Sequence, residues 1–343
     1  MKPEVLAIAA PIGGINALRR VLSALPLDFP VPILCLQPDS AGPGGLDALS
    51  SVKGVKVLWA TAGSPLEPGC AYLAPPGTSL IVRPERTLSL APFGTESESL
   101  RPIDLFLDSL AVAFGGGALA VVLSGSSGDA VEGAAMVRKV GGRVIVQEHG
   151  PWLYRGASEA IVKAGGADDV LETDDIGLAV KFHILGPRLL ERAEIKVELA
   201  PVLDASLRLQ GTRLGSIRLH DRSSESLRLV VQRGFSDDFL ARFAVLGADD
   251  KSSCGRALRE RHRVVVEDIE ADPAYATKRE IVRAAGVRSV QSTPVFARRR
   301  QVVGVFSTHY SRPLSLSAAL GRSLDEYADA AGSAIVRLLE DRP

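Results

Sequence analysis

Short, wholly apolar segments alternate with amphipathic ones through the first half of this 343-residue chain, and that alternation narrows the fold more than any other feature. Val5-Leu-Ala-Ile-Ala-Ala10 precedes Gly13-Gly14 and a helical spacing of Ile15, Leu18, Val21 and Leu22. Pro32-Ile-Leu-Cys-Leu36 and Val55-Lys-Val-Leu-Trp59 follow. Ala118-Leu-Ala-Val-Val-Leu123 and Arg143-Val-Ile-Val146 then flank a helix predicted over 129–139. A strand with no polar alternation is covered on both faces, and the helices between such strands supply the cover. The pattern predicts a doubly wound, mostly parallel α/β domain, closed by Asp169-Val-Leu171 and a helix over 174–185. Ala71-Tyr-Leu73, Ser79-Leu-Ile-Val82 and Leu88-Ser-Leu90, around Pro75-Pro76-Gly77, read as a small antiparallel excursion from that sheet.

The character changes near Gly186-Pro187. A helical stretch over 188–209 leads into strands at 216–220, 227–232, 263–267, 289–295 and 302–309, and a final helix is predicted over 317–339. This is an α+β pattern with an antiparallel sheet. The expected organisation is therefore one domain over 1–186, a helical linker over 187–199 and a second domain over 200–343. Leu324, Tyr327, Ala331 and Leu338 form a stripe on the final helix that suits either its own sheet or a homodimer across a two-fold axis.

Charge and cysteine content remove several function classes. Forty basic and forty acidic side chains leave no net charge, so no nucleic-acid partner is expected. Arg298-Arg299-Arg300 reads as a solvated turn between two strands. Cys35, Cys70 and Cys254 are too few and too scattered for a disulfide framework or a metal site, which points to a reduced, cytoplasmic setting. The apolar run over 110–123 is too short to span a membrane and is cut by Gly115-Gly116-Gly117. No signal peptide is expected either, because the apolar stretch over 5–10 is too short.

Several segments of the first half, taken in order, resemble the catalytic domain of chemotaxis protein-glutamate methylesterases of the CheB type. Ile8-Ala-Ala-Pro-Ile-Gly-Gly14 with the helix after it is similar to that family's first strand, nucleophile turn and first helix. Pro68-Gly-Cys-Ala-Tyr-Leu-Ala-Pro-Pro-Gly77 resembles its Pro-Gly-x-x-Tyr-x-Ala-Pro segment. Ile103-Asp-Leu-Phe-Leu-Asp-Ser-Leu110 resembles the helix before its last long strand. Val122-Leu-Ser-Gly125 with Gly128-Asp-Ala-Val-Glu-Gly133 is similar to the loop and helix that carry its acid, and the likeness covers about 4–185. It implies an ester hydrolase acting on receptor glutamates through a Ser-His-Asp triad.

The carry-over fails at two of the three triad positions. Pro11 stands where the resemblance places the nucleophilic serine, and Pro38 stands where it places the histidine base. Asp129 alone keeps the acid position. The family's Thr-Gly-Met-Gly loop reads Ser124-Gly-Ser-Ser127, and its Gly-Met-Pro reads Gly156-Ala-Ser158. Proline offers neither a nucleophile nor an N–H donor. A relocated site would draw on Ser126, Ser127 and His149, which approach one sheet edge in a doubly wound fold. The plainer expectation is that the serines are small turn residues, the histidine a surface loop residue, and Asp129 an N-cap or first-turn acid of the helix it precedes. Gly13-Gly14 matches no complete phosphate-loop motif.

The second half resembles a GAF domain over about 200–340. The segments that carry this include Leu227-Arg-Leu-Val-Val-Gln-Arg-Gly-Phe235, Ser253-Cys-Gly-Arg-Ala-Leu258, Gly286-Val-Arg-Ser-Val-Gln-Ser-Thr-Pro294 and Gly304-Val-Phe-Ser-Thr-His-Tyr310. The resemblance implies a small-ligand sensor or a pairing module, with an unnamed ligand and no predicted cofactor. Cys254 is expected to be a buried thiol at a helix start, with a bilin-linking or redox cysteine as the alternative, and His309 to close a strand at the sheet edge, with a pocket-facing role as the alternative. The likeness starts near residue 4, so no receiver domain is expected ahead of it. The leading reading is a signalling pseudoenzyme that binds chemoreceptor helices or other signalling proteins. The alternatives are an active methylesterase with a rearranged site, and a GAF sensor whose first domain only assists.

Overall fold

A computed structural model describes residues 2–11, 13–37, 44–92, 101–125, 129–148, 156–247, 249–298 and 301–340. The chain divides into two compact units, 1–184 and 185–343. In the first, β1 (Val5–Ala9), α1 (Ile15–Ser23), β2 (Ile33–Leu36), α2 (Gly44–Leu49), β3 (Lys56–Trp59) and β4 (Cys70–Leu73) come first. A hairpin of β5 (Thr78–Val82) and β6 (Leu88–Pro92) follows, then α3 (Pro102–Phe114) and β7 (Ala118–Val122). The unit closes with α4 (Val131–Lys139), β8 (Arg143–Gln147), α5 (Ala157–Lys163), β9 (Asp169–Leu171) and α6 (Thr173–Leu189).

The main sheet has seven strands in the order β3-β4-β2-β1-β7-β8-β9, and every neighbouring pair is parallel. All residues of β1, β2 and β7 are buried, as their unbroken apolar sequences predict. The order reverses at β1, whose neighbours β2 and β7 lead to opposite halves of the sheet. A crevice forms outside the strand carboxyl ends at such a point.

Two expectations are corrected here. Ala71-Tyr-Leu73 is not part of an antiparallel excursion. It forms β4, wholly buried between β2 and β3, and only β5 and β6 pair antiparallel. Helix α6 does not stop before Gly186-Pro187 but runs to Leu189 with Pro187 inside it. Proline removes one N–H, and so close to a helix end one missing bond does not halt the last turn.

The second unit holds α7 (Ala193–Gln210), β10 (Leu214–Asp221), β11 (Ser226–Arg233), α8 (Asp237–Phe243), β12 (Val245–Gly247) and α9 (Ser253–Glu260). It continues with β13 (Val264–Val266), α10 (Arg279–Ala284), β14 (Ser289–Ala297), β15 (Gln301–Tyr310) and α11 (Ala318–Glu340). Its six-stranded antiparallel sheet runs β12-β11-β10-β15-β14-β13. Helices α7 and α11 pack together and on the sheet, whereas α9 packs on β13, β14 and β15. Leu324, Ala331 and Leu338 are buried in this packing, so the stripe on α11 is covered by its own unit.

Under α7 a polar chain crosses the sheet. Arg263 Nε donates to Thr293 Oγ1 at 2.8 Å, and that hydroxyl donates to Gln291 Oε1 at 2.7 Å. Gln291 Nε2 donates to Thr308 Oγ1 at 3.0 Å, and Thr308 donates to Gln210 Oε1 on α7 at 2.8 Å. Tyr310 also donates its hydroxyl to Gln210 Oε1.

Candidate functional site at the strand carboxyl ends

The turn after β1 starts at Pro11, which is buried and whose carbonyl accepts the Gly14 N–H at 2.8 Å. Gly13 takes a φ of 87°, a conformation glycine adopts at little cost, and Gly14 caps α1 without a side-chain bond. The position that a strand-to-helix turn would give to a nucleophile therefore presents a pyrrolidine ring. Gln37 follows β2, and its Oε1 is buried without a hydrogen-bond partner. Past β7, the Ser124 N–H donates to Gln147 Oε1 at 2.9 Å, and Gln147 Nε2 donates to Thr173 Oγ1 at 2.7 Å. Ser158, near the start of α5, is buried with its hydroxyl unpartnered.

Asp129 is buried just before α4, and its carboxylate is engaged by another helix. Oδ2 accepts the Ile103 N–H at 2.7 Å and Oδ1 accepts the Asp104 N–H at 3.0 Å, so Asp129 caps the first turn of α3. The sequence reading assigned this capping role to the helix that Asp129 precedes, and the geometry reassigns it to α3. The next residue, Ala130, has φ 122° and ψ −7°, a backbone state that costs a non-glycine residue about 1–3 kcal/mol. Burial first, and then the nearby Asp104 carboxylate, hold the Asp129 carboxyl up at about 6 against the pull of its two N–H donors.

Asp104 extends this cluster. Its Oδ1 accepts the Gly133 N–H at 2.7 Å and its Oδ2 lies 3.3 Å from Arg101 Nε. Arg101 Nη1 in turn meets Glu132 Oε1 at 2.5 Å. The sequence reading missed Asp104 as part of the site. Its signal was an acid just behind Pro102, in the first turn of a helix. The acid position is thus woven into the α3–α4 junction as a structural ligand for backbone N–H groups.

Pro38, Ser126, Ser127 and His149 lie outside the described residues, as do Arg299 and Arg300. Among the described residues no cluster of His, Cys, Asp and Glu is set to hold a metal ion, and no helix is long and apolar enough to cross a membrane. In the second unit Cys254 is buried in the first turn of α9. His309 lies on β15, an inner strand, which corrects the expectation that it closes the sheet edge.

A doubly wound parallel domain followed by an α+β domain with an antiparallel sheet is the class these features define. Residues 6–180 match the CheB methylesterase family and residues 197–336 match the GAF domain. The chain belongs to the CheB methylesterase family, and a GAF domain makes up its second part. It is 36% identical over 177 residues to a protein-glutamate methylesterase/protein-glutamine glutaminase of Pseudomonas syringae pv. tomato, covering 51% of this chain and 45% of that one. The chain thus spans about half the length of the curated relatives it matches.

Among solved structures, the CheB methylesterase catalytic domain of Thermotoga maritima is similar at 26% identity and a TM-score of 0.47. That likeness covers 52% of this chain and 98% of that one. A GAF domain/HD domain protein from Geobacter sulfurreducens is similar at 19% identity and a TM-score of 0.37, covering 42% of this chain and 94% of that one. A chemotaxis-type methylesterase domain joined to a GAF domain is the make-up of a signal-transduction protein.

Proposed function

We propose that the first domain is a methylesterase scaffold retained for binding rather than for ester hydrolysis, and that it works with the GAF domain as a regulatory signalling module. One observation carries this reading: a buried proline occupies the turn after the central strand, where a family member's chemistry needs a hydroxyl. Pro38 at the base position supports it, since an orienting acid without an imidazole has nothing to orient. The commitment of Asp129 to the α3 backbone gives that residue a reason to persist without catalysis. The partner class that fits a scaffold of this family is a chemoreceptor cytoplasmic helix bundle or another signalling protein.

The test is a methanol-release assay on methylated receptor cytoplasmic fragments, run beside a pull-down of the same fragments with the full chain. Binding without release is the expected result. Release that disappears in Asp129→Ala or Ser126→Ala would overturn the reading and move the search to Ser126, Ser127 and His149. The curated relatives carry the names of both methylesterase and glutaminase, so ammonia release from receptor glutamines belongs in the same assay.

A further inference from the structure

Between its sheet and α8–α10 the second unit has a partly open cavity of about 40 Å³. Most of its wall is hydrocarbon, from Phe239, Phe243, Leu246, Ile269, Val282 and Val290. One side differs. Ser216 and Arg218 reach the cavity from β10, His309 from β15 and Cys254 from α9. Ser216 and Arg218 lie two apart on a strand, so they share a face.

Arg218 is the exceptional member. It is 4% exposed, its Nη1 donates to the Ala244 carbonyl at 3.3 Å, and its Nε has no hydrogen-bond partner. Cys254 on α9 is its side-chain hydrogen-bond neighbour, but no carboxylate among the described residues pairs with it; Asp250, the acid whose charge reaches it, is bound to Lys278 Nζ at 2.5 Å. Buried guanidinium groups are paired as a rule, because the charge loses its hydration. His309 adds a second unmet group, a buried Nδ1 without a partner. Enclosure and then the Arg218 charge push this imidazole down to about 3, so it stays neutral and adds no counter-charge.

A buried cation with no carboxylate partner and an unmet Nε donor, facing a small space walled mostly by hydrocarbon, calls for an anion with an apolar body. We infer that this cavity is a receptor site for a short-chain monocarboxylate, held by Arg218 through the carboxylate and by the phenylalanine and aliphatic wall through its tail. The volume accommodates about three waters at about 10–15 Å³ each; at a liquid share of about 30 Å³ per water that is about 90 Å³, room for about four to six non-hydrogen atoms. A guanidinium fork matches a carboxylate in shape as well as charge. This site is separate from the methylesterase-like crevice, and its test does not depend on what that crevice does.

The full chain is titrated calorimetrically with propionate and butyrate, with propionamide and butyramide as neutral counterparts, and with nitrate. The acids are expected to bind saturably and to raise the melting temperature, with the amides at least tenfold weaker. Arg218→Gln is expected to lose at least tenfold in affinity for the acids. Ile269→Trp, which fills the cavity from the apolar wall and leaves Arg218 in place, is expected to abolish binding; it decides the matter if Arg218→Gln fails to fold. Equal binding of acids and amides, binding of nitrate alone, or no binding at all would overturn the inference. So would acid binding seen only in Cys254→Ala, because Cys254 would then be the group that occupies the guanidinium in the native protein.

Discussion

Replacing glycine by alanine inside a helix should act in opposite directions at two positions of this chain, and the sign follows from what a new methyl group meets. A Cβ at Gly133 in α4 would lie 2.6 Å from Leu107 Cβ, 3.0 Å from Asp104 Cα and 3.0 Å from the Asp104 carbonyl oxygen. These are atoms of α3 that no rotamer can move aside, so α4 must lift. Lifting also stretches the Gly133 N–H bond to Asp104 Oδ1. Overpacking of this kind costs about 1–3 kcal/mol, and a 2.6 Å contact with fixed atoms puts this site in the upper half, about 2–3 kcal/mol; the gain in helix propensity returns about 0.8–1 kcal/mol.

A net loss of about 1–2 kcal/mol is therefore expected for Gly133→Ala. At Gly321 in α11 the nearest atom is Arg263 Nη1 at 3.2 Å, and this guanidinium, held by Thr293 and Asp325, has to give only a few tenths of an ångström. Propensity then dominates, and Gly321→Ala should stabilise by about 0.5–1 kcal/mol. Both tryptophans, Trp59 and Trp152, fall in the first unit, so urea unfolding followed by tryptophan fluorescence reads Gly133→Ala without interference from the second. At an m-value near 2 kcal/mol per molar urea, the midpoint should fall by about 0.5–1 M. Hydrogen exchange in α11 reads Gly321→Ala. An unchanged or higher midpoint for Gly133→Ala would refute the close approach of α3 and α4.

Asp129→Ala should lower the stability of the first unit by about 1–2 kcal/mol and speed exchange of the Ile103 and Asp104 amides, because two helix-capping bonds vanish together. A carboxyl ¹³C titration should place Asp129 near 6, and a midpoint at or below about 4 would contradict its burial. This acid is held above its unfolded value, so its contribution to stability is present in full below about pH 4 and is lost as the pH rises through about 6. Burial pushes the Cys35 thiol up, so Cys35 should resist thiol-labelling reagents until the first unit unfolds.

Much of the fold was legible because its signals are local. The unbroken apolar character of β1, β2 and β7 announced burial on both faces, and the structure has all three at the centre of a parallel sheet. Cys70–Leu73 carries the same kind of signal in only four residues, and the nearby Pro75-Pro76-Gly77 drew it toward the hairpin. The roles of Asp129 and Arg218 were harder to read. The N–H groups that Asp129 caps lie 26 and 25 residues away in the chain, so its acid-before-helix pattern pointed to the wrong helix. Arg218 sits in Gly215-Ser-Ile-Arg-Leu219, which reads as an ordinary half-exposed strand. Only the packing of α8–α10 over that face makes its charge solitary. Helices α8 and α10, seven and six residues long, are too short to leave a clear periodic trace.

The polar chain from Arg263 to Gln210 gives α7 a property that hydrocarbon packing lacks. Greasy surfaces tolerate slippage by fractions of an ångström, since one methyl serves nearly as well as the next. A relay of paired donors and acceptors has no such intermediate settings: displacing Gln210 along the sheet breaks its links to Thr308 and Tyr310 at once and leaves those two hydroxyls only each other and Gln291. The last residue of α7 is therefore seated like a detent, and the register of that helix end on the sheet is a discrete setting rather than a sliding one.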